Sequence, residues 1–456
     1  LAVYKKEARV AKALSWRLHC EDLEKIGDCS RLHKLLSNGP TKTLGSIKRA
    51  DGSGFTDNAE ETLSVLLGVH FPGSTDFVRS QEDFSVAITG DSSLANEIIS
   101  EERIKWAVNS FSPFKSPGMD GIYPFLLQEG LSVISPYLVG MFKASLVSGH
   151  IPVAWRGVRA TFIPKPGKAD YAEPRAFRPI SLMSFILKTL ERLVDRYIRE
   201  SALVLNPLHK YQFAYQAGKS TEAAIHSLVT KAERTLDQKE YGLAAFLDVE
   251  GAFDNTPFGV IIESAERHGI HSSLTRWMYN MLKTREVTAS LFDESVTVTT
   301  SRGCPQGGCL SCLMWSLVVN SLLEELNKMG GVWAQGYADD IVIYVTGIDP
   351  NTVRDITQGA LRVAERWCVS KGLSINPKKT KVVPFTRQRK NTKVKSLTLF
   401  GSPLTYEGQV KYLGVTLDST LTWNMQLANV VDKFQKSFWL CRRVVGSCWG
   451  LQPSMV

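Results

Sequence analysis

Along most of the chain, apolar residues recur at three- and four-residue intervals, the period that lays side chains along one face of an α-helix. Leu182, Ile186, Leu190, Leu193, Val194 and Tyr197 form one such stripe. Ile98, Ile99, Ile104, Ala107 and Val108 form another, read as a single helix at which the packed body begins. Ile356, Ala360, Val363, Ala364 and Trp367 share the face of a third helix. It opens at Asp349-Pro350, a cap followed by proline at the first helical position, and closes at Lys371-Gly372. Thr256-Pro257 is read the same way, with Thr256 as the cap. Three short, mostly apolar runs predict strands: residues 242–249, 341–345 and 411–417. Helices alternating with short strands predict an α+β fold, a small sheet backed by helices. Ahead of this body, residues 1–36 read as a basic helical segment, 37–54 as a turn-rich linker and 71–93 as a second loose stretch.

Composition narrows the class. A chain of 456 residues, 44% apolar and 22% charged, can bury a sizeable core in two to four lobes and is neither disordered, collagen-like nor coiled-coil. Lys and Arg number 54 against 45 Asp and Glu, and the net +9 suits a polyanionic partner. Nine basic residues and no acidic one lie between Lys371 and Lys395, so that segment carries the whole excess. Eight cysteines without scaffold spacing, no signal-peptide h-region and no apolar run of spanning length predict a soluble intracellular chain with no membrane partner. Beginning at Leu1 and stopping just beyond Pro453, it is expected to be a fragment of a longer polyprotein.

Two of the strands carry acids where stability has little use for them. The run 242–247 delivers Asp248 at its end, and Asp339-Asp340 interrupts a segment otherwise suited to a hairpin. Adjacent like charges beside a low-dielectric wall repel, and a divalent cation is the simplest compensation. Mg2+ takes oxygen ligands from one or two carboxylates and from substrate phosphates, and a pair of such ions supports in-line phosphoryl displacement. The plainer alternative makes Asp339-Asp340 an exposed turn and Asp248 a strand-end cap.

The surrounding blocks decide between these readings. In order they are Lys115-Ser-Pro-Gly-Met-Asp-Gly121, Phe162-Ile-Pro-Lys-Pro-Gly-Lys168, Phe177-Arg-Pro-Ile-Ser-Leu182, Phe246-Leu-Asp-Val-Glu-Gly-Ala-Phe253, Gly303-Cys-Pro-Gln-Gly307, Tyr337-Ala-Asp-Asp340, Gly372-Leu-Ser-Ile-Asn-Pro-Lys-Lys-Thr380 and Lys411-Tyr-Leu-Gly414. In these blocks, from about residue 95 onward, the sequence resembles the reverse transcriptases of non-LTR (LINE-type) retrotransposons, especially the jockey-like group.

The resemblance implies a right-handed polymerase fold with a helical N-terminal extension. Its parts are an extension over residues 1–95, fingers over 96–240, a palm over 241–417 and the truncated start of a thumb over 418–456. It implies RNA-directed DNA polymerase activity, with two Mg2+ ions, or Mn2+ in their place, held by Asp248, Asp339 and Asp340, the first two bridging both ions. Phe253 corresponds to the residue under the incoming sugar, whose bulk crowds a 2′-hydroxyl. Gln306 and Gly307 correspond to the block at the template and nascent pair, and Lys165 and Arg178 to the grip on the triphosphate, with Lys168 and Arg175 nearby. Lys379, flanked by Lys378 and Lys381, corresponds to the acid that protonates pyrophosphate. The implied partners are an RNA template, a DNA primer and dNTPs, in the nucleus and cytoplasm. An endonuclease domain is expected upstream in the full-length polyprotein and is absent from this chain. A catalytically inactive RNA-binding relic and an RNA-templated RNA polymerase are the competing readings.

Two further patterns are decoys. Ala217-Gly-Lys-Ser-Thr221 is similar to a phosphate-binding loop, but Phe213 stands where its first glycine belongs, and the segment fits the fingers block that begins Tyr211-Gln212-Phe213. Cys304, Cys309 and Cys312, the last two read as lying on a helix, and Cys20, Cys29 and His33 lack the partners a zinc site needs.

Overall fold

The computed structural model describes residues 2–21, 44–49, 51–77, 91–387 and 395–442. The chain divides into two units, residues 45–413 and residues 1–44 with 414–456. The larger unit contains strands β1 (Thr75–Asp76), β2 (Gly157–Pro164), β3 (Phe177–Leu182), β4 (Tyr241–Asp248), β5 (Glu286–Leu291), β6 (Glu294–Thr299), β7 (Val332–Tyr337), β8 (Asp340–Gly347) and β9 (Lys381–Phe385). Mixed helices and sheets give the predicted α+β class.

The central sheet runs β7-β8-β4-β9 and is antiparallel throughout. Residues 241–247 of β4 are buried on both faces, which is why they read as an unbroken apolar run. Side chains of β7 and β8 alternate between two helical layers. Gln335 donates to the Ala224 carbonyl and Tyr344 to Thr235, both on helix Thr221–Asp237. On the opposite face Gly336 lies against Leu323 of helix Ser311–Lys328, which is buried on nearly all sides. A second sheet, β1-β6-β5-β2-β3, draws strands from both sides of residue 240 and pairs β2 with β5 in parallel.

The predicted long helix is Pro350–Lys371, with Asp349 accepting from the Thr352 N–H at 2.8 Å and Gly372 left-handed at φ 64°. Four expectations change. Leu182 ends β3, and the helix that follows, Phe185–Glu200, starts only after the Ser184 cap, because 177–182 first pairs with β2. The stripe from Ile98 to Val108 spans two helices, Ser92–Ile98 and Glu101–Asn109, because the Ser100 hydroxyl caps the second by accepting from the Arg103 N–H. Thr256 is not the N-cap of the following helix: it ends the short helix Ala252–Asn255, its hydroxyl donates to the Ala252 carbonyl, and Pro257 takes the N-cap position of helix Phe258–Arg267. The run 411–417 is broken at Leu413 and Gly414, whose φ values of 46° and 89° end one strand and begin the next.

The packed body also begins earlier than the Ile98 stripe. Helix Ala59–His70 buries Leu63, Leu66 and Leu67, and Lys48 bridges Asp170 and Glu173 at 2.7 and 2.8 Å. Residues 78–90 of the expected loose stretch lie outside the described residues. Helix Leu131–Ser148 is long and apolar enough to cross a membrane by length and composition, a window the sequence reading passed over. It buries Leu138, Phe142 and Leu146 in the core, and Trp277 of helix Ser272–Lys283 donates to its Ser145 hydroxyl. In the smaller unit, helices Ala2–Glu21 and Asn424–Cys441 are described, with Gln426 and Asn429 bonded to Thr416. The rest of the expected 1–36 segment lies outside the described residues.

Candidate active site

Asp248 and Asp340 are cross-strand partners at the end of the β4–β8 ladder, on the same face as Tyr344. Asp339 sits between them and Tyr337 in a two-residue hairpin turn. The turn is strained, since Ala338 adopts φ 55°, a region that a side chain disfavours. It is held from below by Trp315, whose indole N–H donates to the Ala338 carbonyl at 2.8 Å. The Trp315 ring also lies 6.2 Å from Phe253, tying the acidic turn to the aromatic wall of the site.

A cavity of about 600 Å3 opens beside this turn. Eight of the nine residues singled out from sequence line it: Lys165, Arg178, Asp248, Phe253, Gln306, Gly307, Asp339 and Lys379. The ninth, Asp340, is joined to Asp248 by register. The neighbouring cations Lys168, Arg175, Lys378 and Lys381 are not in its wall. Instead, Arg175 offers its carbonyl to Lys165 Nζ at 3.0 Å.

Charge is concentrated here in opposing groups. Burial, and then the Asp248 carboxylate, push Asp339 up from the usual carboxylate range, against the pull of Arg178 and Lys379. Asp340 is pushed to about 6 by burial and by the charges of Asp339 and Asp248. Lys165 is lowered by burial and by the cations Lys168, Arg178 and Lys379. Lys379 Nζ bonds Asp248 Oδ2 at 2.8 Å. Among the described residues no three acidic, histidine or cysteine side chains stand in ready-made metal spacing. The three carboxylates nonetheless form an oxygen donor set whose mutual repulsion a hard cation would relieve.

The loop carrying Gln306 and Gly307 is pinned from three sides. Ser181 N–H donates to the Gln306 carbonyl at 2.8 Å, Ser311 Oγ to the Pro305 carbonyl at 2.7 Å, and Cys309 N–H to Glu191 Oε2 at 2.7 Å. The Gln306 side-chain amide donates to both oxygens of Asp254 at 2.9 Å. Gly307 has φ 126°, and a Cβ there would lie 2.6 Å from the Ser181 carbonyl oxygen.

Sequence reasoning missed Asp254, His70, Tyr215, Trp315 and Cys312. Asp254 directly follows Phe253 in the sequence, and burial raises it to about 6. His70, whose Nε2 lies 3.0 Å from the Pro174 carbonyl, reaches the wall from a segment read as preceding the body. Lys219 Nζ donates to the carbonyls of Lys210 and Gln212, and Ser220 caps helix Thr221–Asp237. Cys309 is not on a helix: it precedes helix Ser311–Lys328, where its N–H is held by Glu191. Cys29 and His33 lie outside the described residues. Of the basic run, Lys371 pairs with Glu263, Lys379 with Asp248 and Arg387 with Asp237, while residues 388–394 lie outside the described residues.

A family profile described as reverse transcriptase (RNA-dependent DNA polymerase) matches residues 163–417. The chain is 27% identical over 415 residues to a probable RNA-directed DNA polymerase from transposon BS of Drosophila melanogaster, covering 87% of this chain and 45% of that protein. It is 29% identical over 372 residues to the RNA-directed DNA polymerase from mobile element jockey of Drosophila funebris, covering 78% and 38%. A Pol polyprotein from retrotransposable element R1 of Bradysia coprophila is 24% identical over 449 residues, covering 98% and 44%. The chain thus spans less than half the length of each of these relatives.

Proposed function

The chain belongs to the reverse transcriptase family, and from that premise we propose that it is the RNA-directed DNA polymerase portion of a non-LTR retrotransposon protein. It transfers dNTPs to a primer 3′-hydroxyl on an RNA template. The observation that carries this reading is the convergence of Asp248, Asp339, three cations and Phe253 on one cavity inside the family-matching segment, with Asp340 beside Asp248 in the strand register.

Asp248, Asp339 and Asp340 would hold divalent cations, Mg2+ or Mn2+, which when bound would lower the cost of ionising the primer hydroxyl and of charge on the leaving oxygen. The hydroxyl gives up its proton to solvent and its oxygen forms a bond to the α-phosphorus as the bond to the pyrophosphate oxygen breaks. Lys165 and Arg178 hold the triphosphate with point charge and planar donors. Lys379, released from Asp248, gives its proton to the departing pyrophosphate. Phe253, braced by Trp315, fills the space a 2′-hydroxyl would need. Gly307 brings backbone to the nascent pair, and Gln306, held by Asp254, fixes the loop rather than roaming.

In polymerase terms, residues 96–240 serve as fingers, 241–417 as palm, 418–456 as the start of a thumb, and 1–95 as an extension. An upstream endonuclease completes the longer polyprotein. Primer extension on an RNA template tests the reading, with dNTPs or rNTPs offered to the wild type, Asp339→Ala and Phe253→Ala. Incorporation of dNTPs by the wild type and Phe253→Ala but not by Asp339→Ala, with rNTPs gained in Phe253→Ala, is expected. No incorporation by the wild type above the background of Asp339→Ala would leave the inactive RNA-binding reading in its place.

A further inference from the structure

At the other end of the β7–β8 hairpin lies a second cavity, of about 740 Å3. Loop 209–211, the last turns of helix Thr221–Asp237 and the strand ends at Trp333 and Tyr344 enclose it. Tyr344 and Thr346 lie four and six residues beyond Asp340 on β8, about 13–20 Å away at the rise of a strand. This cavity is therefore separate from the polymerase centre, and it gives a place to the Tyr211 block that the polymerase reading leaves without a role.

Its walls combine two features. Lys210, Lys231 and Arg234 face it, and among the described lining residues none is acidic. Of the carboxylates on neighbouring segments, Glu240 accepts from the lining Thr346 Oγ1 at 2.9 Å, Asp237 pairs with Arg387 at 3.6 Å and Glu324 with Arg267 at 3.2 Å, and among the described residues none forms an ion pair with Lys210, Lys231 or Arg234. The cations are set over rings instead, Lys210 Nζ at 4.9 Å from the Tyr211 centroid and Lys231 Nζ at 4.9 Å from that of Trp333. Tyr211 and Trp333 meet edge to face at 5.3 Å. The indole N–H of Trp333, only 7% exposed, has no hydrogen-bond partner among the described residues.

We propose that this cavity is a second nucleic-acid site, holding the phosphodiester backbone of a single strand on its three cations and a base against Tyr211. Cations without carboxylate partners suit repeated phosphates, and the aromatic wall suits a base more than an acidic peptide side chain. Sequence preference is not expected, since stacking accepts every base.

The test uses the full chain with its polymerase centre saturated by a pre-annealed primer–template. Oligo(U) RNA and oligo(dT) DNA of 12 nucleotides, carrying a 5-iodopyrimidine, are cross-linked by light, and the modified peptides are mapped. Cross-linking to Tyr211 or Trp333 is expected from one or both oligomers, and the comparison tells whether the 2′-hydroxyl contributes. Lys210→Glu/Arg234→Glu, at two exposed positions outside the catalytic machinery, is expected to weaken binding at least tenfold. It should also flatten the salt slope by about 1.4, two phosphates at about 0.7 each. Lys210→Arg/Arg234→Lys should restore both. Cross-links absent from these rings, affinity untouched by charge reversal, or competition by oligo-glutamate as strong as by RNA would each overturn the proposal. Loss of nucleotide incorporation with cross-links intact would count against the polymerase reading alone.

Discussion

Replacing Gly307 by alanine tests how the loop that faces the cavity is built. A Cβ at 307 would sit 2.6 Å from the Ser181 carbonyl oxygen, where ordinary contacts begin near 3.4 Å, so loop and strand must part by about 0.8 Å. Neither side is free to yield, because Ser181 N–H is bonded to the Gln306 carbonyl and the flanking Pro305 and Cys309 are each tied to a side chain. Holding an L-residue at φ 126° costs about 1–3 kcal/mol. Giving up one pinning bond costs about 0.5–1.5 kcal/mol more. A total of about 1.5–4.5 kcal/mol, felt at the site, slows incorporation about 10- to 2,000-fold. If the fold absorbs it instead, the melting temperature falls by about 2–4 °C for each kcal/mol. Single-nucleotide extension and thermal unfolding, measured together, capture both routes. Gly259→Ala is the control: the position is exposed in a helix, a Cβ there meets nothing within 4 Å, and a gain of about 0.5–1 kcal/mol is expected. Wild-type rates and melting for Gly307→Ala would refute the reasoning.

Three other outcomes follow from particular contacts. Trp315→Phe keeps an aromatic ring but leaves the Ala338 carbonyl without its donor, a loss of about 1–3 kcal/mol that should lower kcat more than it raises the KM for dNTP. Lys379→Ala removes a half-exposed ion pair whose worth to stability is about 0–1 kcal/mol, so melting should hardly move while incorporation drops about 100-fold or more. Burial lowers His70 from 6.5 to about 4, so the folded state resists a proton that the unfolded chain accepts. Its contribution is whole above pH 6.5 and fades as pH falls through about 4, a span of about 3 kcal/mol. Urea unfolding across that range should show it, and His70→Gln should flatten it.

The chemistry-bearing residues were the legible part once the ordered blocks around them were taken together, since an acid pair alone also reads as an exposed turn. Asp248, Asp339 and Asp340 could be named before any fold, and register then made partners of two of them. Boundaries were less legible. Leu182 and Ile186 share a helical period, yet pairing of 177–182 with β2 claims the first for a strand. Thr256 looked like a cap, but its hydroxyl found the Ala252 carbonyl. The supports of the site, Trp315 above all, were hidden because a tryptophan on a buried helix reads as core. Only the tertiary contact with the Ala338 carbonyl gives it a second task.

The measurement that bears most directly on the account is single-turnover extension of a DNA primer annealed to RNA, with pyrophosphate release followed in the same reaction. The account predicts dNTP incorporation that needs a divalent cation and is lost in Asp339→Ala while melting and RNA binding persist. Extension by Asp339→Ala at the wild-type rate, or none by either protein with both folded and RNA-bound, would contradict it.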